Sequence, residues 1–136
     1  MELKGDKGQL FAIERSVFGE PGASAEADLL LNVTVKVGGY AAADQSWVMA
    51  DDWRAFLTDL RELERTRRGK ATLEGASPRD LKLVLCVIDP IGHMAISGHL
   101  GWDSPDGFAQ KLEFGFEIDA GMLQTTIREI EELGRK

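Results

Sequence analysis

The two histidines of the chain lie close together in a segment whose spacing could support acid–base or metal chemistry. His93 and His99 flank Ser97 in a stretch where polar and apolar residues alternate. Successive side chains of a β-strand point to opposite faces, so these three residues share one face. Met94 and Ile96 fall on the other face. The pattern predicts a strand with one core face and one face directed to water or to a partner.

Two glutamates of the next strand are expected to join this polar face. If the turn at residues 103–107 is symmetric, three pairs face each other across the strands: His99 with Lys111, Ser97 with Glu113, and His93 with Glu117. Serine, histidine and glutamate are the residue types of nucleophilic and acid–base catalysis. A flat outward face, however, has no walls to exclude water and no amides for an oxyanion. We expect a partner-facing or solvated surface, with a small-molecule-binding or enzyme site as the alternative.

The spacing of these residues argues against a metal or nucleotide site. His93 and His99 are six residues apart, which is about 20 Å along a strand at ~3.3 Å per residue, so they cannot share one ion. No glycine-rich loop stands where a strand leads into a helix, as a phosphate cradle requires. We therefore expect no metal and no cofactor.

Three carboxylates and two tryptophans form a second group. Asp44 and Trp47 belong to a predicted strand, and Asp51, Asp52 and Trp53 begin the predicted helix that follows. In a purely structural role, the carboxylates favour the helix start and the tryptophans, with Met49, are buried in the core. In a functional role, the group is an acidic patch with an aromatic anchor, as expected where a basic protein docks. The sequence leaves both roles open.

Composition limits the partners of the chain. With 136 residues, 43% hydrophobic and 29% charged, it predicts one globular domain over residues 1–136. The net charge of −7 repels phosphate backbones, so we expect no nucleic-acid partner and favour a basic protein. No apolar run approaches the ~20 residues that span a bilayer. The N-terminus also lacks the apolar core of a secretory signal, which predicts a cytoplasmic protein without membrane contact.

The elements that must position these groups are strands and two helices. Alternation predicts seven strands at about residues 10–17, 29–37, 40–48, 71–74, 81–88, 93–102 and 108–118. Helical spacing predicts amphipathic helices at about 50–68 and 120–133. We expect an α+β fold with one antiparallel meander sheet of about seven strands, strongly twisted or bent. Residues 1–8 are polar and are expected to form a mobile N-terminal tail.

One predicted strand is apolar on both faces. Leu83 and Leu85 alternate with Val84, Cys86 and Ile88. Such a strand is central in its sheet or has its second face covered. A structural homodimer, in which another copy covers this face, is therefore a third hypothesis. Cys86 is the sole cysteine, and we expect it to be a buried, inert thiol.

The order of several segments resembles a known family. These segments are the Asp-Trp helix start of residues 51–60, the strands at 73–75 and 81–85, the Gly-His strand of residues 92–100, and residues 112–119 before the closing helix. The order resembles the small WapI-type bacterial immunity proteins and related uncharacterised families over roughly Leu29 to Leu133. The resemblance implies a non-enzymatic inhibitor that neutralises a toxin domain made by the same cell. Because many such toxins are basic nucleases, the resemblance also fits an acidic chain. It assigns no toxin-contacting residue.

Overall fold

The computed structural model describes residues 1–16, 28–76 and 79–135. Its elements, in chain order, are β1 (Glu2–Lys4), β2 (Leu10–Arg15), β3 (Leu29–Val37), β4 (Tyr40–Val48), α1 (Ala50–Thr66), β5 (Lys70–Glu74), β6 (Leu81–Val87), β7 (Met94–Asp103), β8 (Ala109–Ile118), a 3₁₀ turn (Ala120–Met122) and α2 (Leu123–Arg135). Residue 17 of the first predicted strand lies outside the described residues. The α+β class is confirmed.

The expected single meander sheet is wrong. The strands form two antiparallel four-stranded sheets, with orders β1-β2-β3-β4 and β5-β6-β7-β8. Each strand pairs with its sequence neighbour except β4 and β5, which α1 separates along the chain. A strand in which apolar and polar residues alternate must bury its apolar face, and a second sheet buries that face as well as a helix does. Here both sheets and both helices contribute to one core cluster, in which Phe11 stacks on Phe114 at a ring-centroid distance of 5.7 Å.

The turns decide the register of the strands. Gly38 and Gly39 form a two-residue hairpin turn between the paired Val37 and Tyr40, and Gly38 has the positive φ of 58° that such a turn needs. The turn between β7 and β8 has the expected length but lies one residue further along the chain, at residues 104–108 instead of 103–107. Its last strand pair is Asp103 with Ala109, and the Ser104 N–H donates to the Phe108 carbonyl oxygen at 2.9 Å.

The register of β7 on β8 is therefore displaced by two residues from the prediction. His99 pairs with Glu113 instead of Lys111, Ser97 pairs with Gly115, and Glu117 lies opposite Ala95. A displacement of two leaves every side chain on its predicted face, because side chains alternate with a period of two. The side chains of β7 and β8 therefore lie on the predicted sides of the sheet, although the predicted pairing is wrong.

Both predicted helices are present. α1 buries Trp53, Phe56, Leu60 and Leu63 and ends at Arg67, whose left-handed φ of 55° carries its N–H to the Leu63 carbonyl oxygen. The first amide of α1 is capped from elsewhere in the chain: the Ala50 N–H donates to Asp28 Oδ1 at 2.9 Å. At the 3₁₀ turn that leads into α2, Asp119 Oδ1 accepts the Gly121 N–H at 2.9 Å and caps this end of the helical segment.

The expected mobile tail over residues 1–8 is replaced by a short edge strand. β1 pairs with β2, and Leu3 is 3% exposed in the core. The terminal ammonium of Met1 donates to the Ile13 carbonyl oxygen at 3.0 Å. Three residues are too few for alternation to reveal a strand, so the sequence pattern misses it. The single-domain organisation of residues 1–136 stays a prediction.

Candidate partner-binding surfaces

The polar face of the histidine strand is part of the outer face of the second sheet. Three rows of four residues cross β5 to β8 and make up what we call the outer face: Lys70, Cys86, Ala95, Glu117; Thr72, Val84, Ser97, Gly115; Glu74, Lys82, His99, Glu113. None of these residues is buried, whereas Met94 and Ile96 point inward and are fully buried. The predicted alternation is confirmed. The structure brings Ser97, His99, Glu113 and Glu117 onto one open surface.

The outer face lacks the contacts of a catalytic group. The His99 ring donates from Nδ1 to the Gly101 carbonyl oxygen at 3.2 Å, which ties it to its own strand. A nucleophilic serine needs a hydrogen bond to its base. No hydrogen bond joins Ser97 to either histidine in the described part of the chain. Within the same residues, no group of three metal-ligating side chains is close enough to hold an ion.

His93 stands apart from the outer face, in the turn before β7. Its Nδ1 contacts Asp89 Oδ2, and Asp89 Oδ1 accepts the backbone N–H groups of Ile91 at 3.0 Å and of His93 at 3.1 Å. The hydrogen bond and charge of Asp89 raise the pKa of His93. Desolvation raises the Asp89 pKa, but its bonds to His93 and Ile91 outweigh this effect and lower it. The pair closes a turn, and the sequence analysis missed Asp89 as the partner.

The second face of β6 is only partly covered. Val84 and Cys86 are half-buried within the outer face, and Ile88, just past the end of β6, is 52% exposed. The prediction that Cys86 is a buried thiol is therefore wrong. The strand is central to its sheet, between β5 and β7, and this position agrees with its apolar composition.

The tryptophans beside the start of α1 have opposite environments. Trp53 is buried at 4% exposure, as we expected for a core residue. Trp47 is 52% exposed and Met49 is 47% exposed, so the expectation that both lie near the core is wrong. The reason is the phase of β4, because Ser46 and Val48 point inward and are 1% and 0% exposed. Two large apolar side chains are thus presented to solvent.

An open groove begins at Met49, two residues after Trp47. It has a volume of about 590 Å³ and is lined by Met49 and Asp52 from the start of α1, by Glu74 of β5 and by Arg79. The Trp47 carbonyl oxygen accepts the N–H of Ala76, another lining residue, at 2.7 Å, so the Trp47 backbone borders the groove. We call this cavity with Trp47 the docking groove.

The predicted acidic group is divided between two places. Asp52 lines the docking groove, and Asp51 is exposed beside it in an ion pair with Arg54. Arg79 lies 3.6 Å from Glu74, so the groove holds two carboxylates against one guanidinium. Asp44 is elsewhere: it lines a smaller cleft between β4 and the β7–β8 hairpin, and its Oδ1 accepts the Gln45 N–H at 2.8 Å.

The fold and these surfaces define a small α+β protein of two antiparallel sheets whose candidate sites are open surfaces. In the described ranges, no helix is both long and apolar enough to cross a membrane. The chain matches the immunity protein WapI-like family over residues 2–136, and it belongs to that family. The match confirms the resemblance and extends it to both ends of the chain. No curated protein and no solved structure matches.

Proposed function

We propose that this chain is a non-enzymatic immunity protein that binds a basic toxin domain in the cytoplasm and blocks its activity. The family match over residues 2–136 is the observation that carries the proposal. The net charge of −7 supports a basic partner, because opposite net charges accelerate encounter and favour correct orientation. Neutralisation by surface contact needs no catalytic residue.

We assign the docking groove as the main toxin contact. Binding energy in protein interfaces concentrates in large aromatic side chains near the centre of the contact, with polar groups at the rim. Trp47 and Met49 are exposed large apolar side chains, and Asp52 and Glu74 supply negative charge beside them. A basic, partly apolar protrusion of the toxin fits this arrangement.

The outer face is a second candidate contact. It carries Ser97, His99, Glu113 and Glu117 on an uncovered sheet surface, with small side chains such as Ala95 and Gly115 between the charged ones. The two glutamates add negative charge that is complementary to a basic partner. Asp44 and His93 lie outside both surfaces and are assigned no contact in them.

The test uses the toxin domain encoded beside the gene of this chain, in a catalytically inactive form, and measures its affinity by calorimetry. We expect Trp47→Ala to weaken binding about 10–100-fold, the range of an aromatic hot spot. Tyr40→Ala is the matched control, because Tyr40 is 72% exposed on the same strand but lies at its opposite end from Trp47. Unchanged affinity of the Trp47 variant, with loss in a Glu113→Gln and Glu117→Gln variant, would move the contact to the outer face.

A further inference from the structure

The strand β4 is an edge of the first sheet, and one side of its backbone is open. Among the described strands β4 pairs with β3 alone, and β7 of the second sheet lies near β4 without pairing. In an antiparallel pair, residues alternate between bonding the neighbouring strand and pointing their N–H and C=O groups away from it. The outward groups of an edge strand are able to pair with a further strand.

The phase of this alternation follows from the hairpin turn. Val37 and Tyr40 close the two-residue turn and form a hydrogen-bonded pair, so Ala41, Ala43 and every second residue after them point away from β3. Two contacts support this phase independently. The Trp47 carbonyl oxygen accepts a hydrogen bond from Ala76 outside the sheet, and the oxygen of its strand partner, Leu30, accepts one from Ser16 on the β2 side.

Most of the open backbone is at Ala41 and Ala43. The Trp47 carbonyl oxygen is occupied by Ala76, and the Gln45 N–H is occupied by the Asp44 carboxylate. No hydrogen bond joins the outward N–H and C=O groups of Ala41 and Ala43 to any described residue. Their spacing, two residues apart, matches the repeat at which an incoming strand presents its own donors and acceptors.

Among the usual protections of an edge strand, this stretch has one charged side chain, Asp44, and no lysine, proline or bulge. Natural edges carry lysine, proline, a bulge or a very short strand. β1 is only three residues long and includes Lys4, β5 begins with Lys70, and β8 carries Lys111. β4 pairs regularly over nine residues, and Ala41 and Ala43 are exposed with the smallest side chains available to a strand.

A cleft runs beside this edge. It has a volume of about 270 Å³ and lies between Ala42, Ala43 and Asp44 of β4 and the β7–β8 hairpin at Leu100 and residues 110–112. The same hairpin continues into Trp102, which is 36% exposed, and Phe108, which is 70% exposed. A strand laid along β4 would therefore have apolar side chains available next to its backbone partners.

We propose that the edge of β4 at Ala41–Gln45 captures an extended segment of the basic toxin, which adds a fifth strand to the first sheet. This inference rests on the proposed function and deepens it. Asp44 and Lys111 both line the cleft. Because the Lys111 ammonium is already 3.6 Å from Glu113 and 3.9 Å from Asp103, Asp44 is the charge left to favour a cationic side chain in the captured segment. The edge continues into Trp47, so one toxin surface reaches the docking groove and the cleft together.

The test removes one outward donor without changing the inward ladder. Ala43→Pro deletes an outward N–H, which an edge strand tolerates, and Ala43→Thr is the control that keeps the N–H and enlarges the side chain. We expect the proline variant to bind the inactive toxin domain about tenfold more weakly, as loss of a buried backbone hydrogen bond predicts, and the threonine variant to bind normally. Circular dichroism and the melting temperature show whether each variant folds.

Amide hydrogen exchange of the unchanged chain keeps the proposal testable even if the proline variant does not fold. We expect the Ala41 and Ala43 amides to exchange rapidly in the free protein and to become protected in the toxin complex. Toxin binding without this protection would overturn the strand addition and leave the proposed function intact. Absence of toxin binding would overturn both. If the Ala41 and Ala43 amides are already protected in the free protein, and the free protein has the mass of a dimer, the edge of β4 pairs with a second copy of the chain. That result would also overturn the proposal.

Discussion

Ser46 on β4 donates a hydrogen bond of 2.6 Å from its Oγ to Asp80 Oδ1, in the loop that leads into β6. The bond joins the first sheet to the second, and Ser46 is 1% exposed. Asp80 also accepts the Gly101 N–H through its carbonyl oxygen at 2.7 Å, so it contacts β7 as well. This junction holds the end of β4 in place and thereby positions Trp47 at the docking groove.

The first prediction concerns this junction. Ser46→Ala removes the buried hydroxyl that donates to the Asp80 carboxylate, and the carboxylate loses this hydrogen bond. We expect the substitution to lower the free energy of unfolding by about 1–3 kcal/mol. Ser97→Ala is the control, since Ser97 is on the half-exposed outer face and should cost less than about 0.5 kcal/mol. Urea unfolding measures both. Equal effects of the two substitutions would show that the bond between the sheets is not important for stability.

The second prediction compares two glycines of the second sheet. A Cβ on Gly98 would lie 1.8 Å from the Lys82 carbonyl oxygen, at a φ of 154° that side chains rarely adopt. A Cβ on Gly115 would make only ordinary contacts, at 3.6 Å from the Ile96 carbonyl oxygen. We expect Gly98→Ala to destabilise the protein by about 2–4 kcal/mol and Gly115→Ala to change stability by less than about 1 kcal/mol. Thermal unfolding of the two variants side by side checks this, and similar melting temperatures would contradict it.

The third prediction concerns the pH dependence of the Asp89–His93 pair. The raised pKa of His93 means that its contribution to stability is complete below its unfolded pKa and is lost as pH rises through the folded pKa. The lowered pKa of Asp89 means that its contribution is present above its unfolded pKa and is lost as pH falls through the folded pKa. The attraction between the two charges therefore acts between the two folded pKa values, whereas the bonds of Asp89 to the Ile91 and His93 backbone N–H groups persist above them.

An NMR titration of the His93 ring tests this pair. We expect a pKa above the ordinary value of 6.5 in the native protein and a lower pKa in Asp89→Asn. Asparagine keeps an oxygen that is able to accept the Ile91 and His93 backbone N–H groups, so the turn is retained while the negative charge is removed. The same His93 pKa in both proteins would show that the carboxylate does not govern this histidine.

The fourth prediction concerns the charge of the docking groove. If carboxylates steer a basic toxin, the association rate constant falls as salt rises, because ions screen charges beyond a Debye length of about 10 Å at 0.1 M. We expect Asp52→Asn to reduce this salt dependence. Asp59→Asn is the control, since Asp59 is an exposed carboxylate on the same helix that does not line the groove. Stopped-flow measurements in which both variants behave like the unchanged chain would exclude steering through the groove.

The sequence predicted the faces of the elements better than their partners. Alternation placed Ser97 and His99 outward correctly, since this pattern depends only on the period of a strand. It did not predict that β4 and β5 belong to different sheets. The apolar face of a strand is buried equally well against a helix or against a second sheet, so alternation does not report which of them covers it. The turn lies at residues 104–108, one residue later than predicted, and this shift displaced the β7–β8 register by two residues. The exact position of a turn is not visible in the periodicity of the strands.

The candidate site was predicted only in part, for a related reason. Asp52 was found because helix-start carboxylates are easy to recognise. Trp47 was placed inward because its size suggests burial, whereas the inward phase of β4 belongs to Ser46 and Val48. Glu74 and Arg79, the other charged residues of the groove, are distant from α1 in sequence and approach it only through the fold. The pattern of one sequence contains no information on which distant segments come into contact.

The most direct test is a titration of a candidate toxin domain, taken from the genes adjacent to that of this chain, with the purified chain, read as residual toxin activity. The account predicts complete inhibition at a one-to-one molar ratio by the unchanged chain and by Tyr40→Ala. It also predicts that Trp47→Ala requires a large excess. Full toxin activity in the presence of excess unchanged chain would contradict the assignment of this protein as a toxin inhibitor.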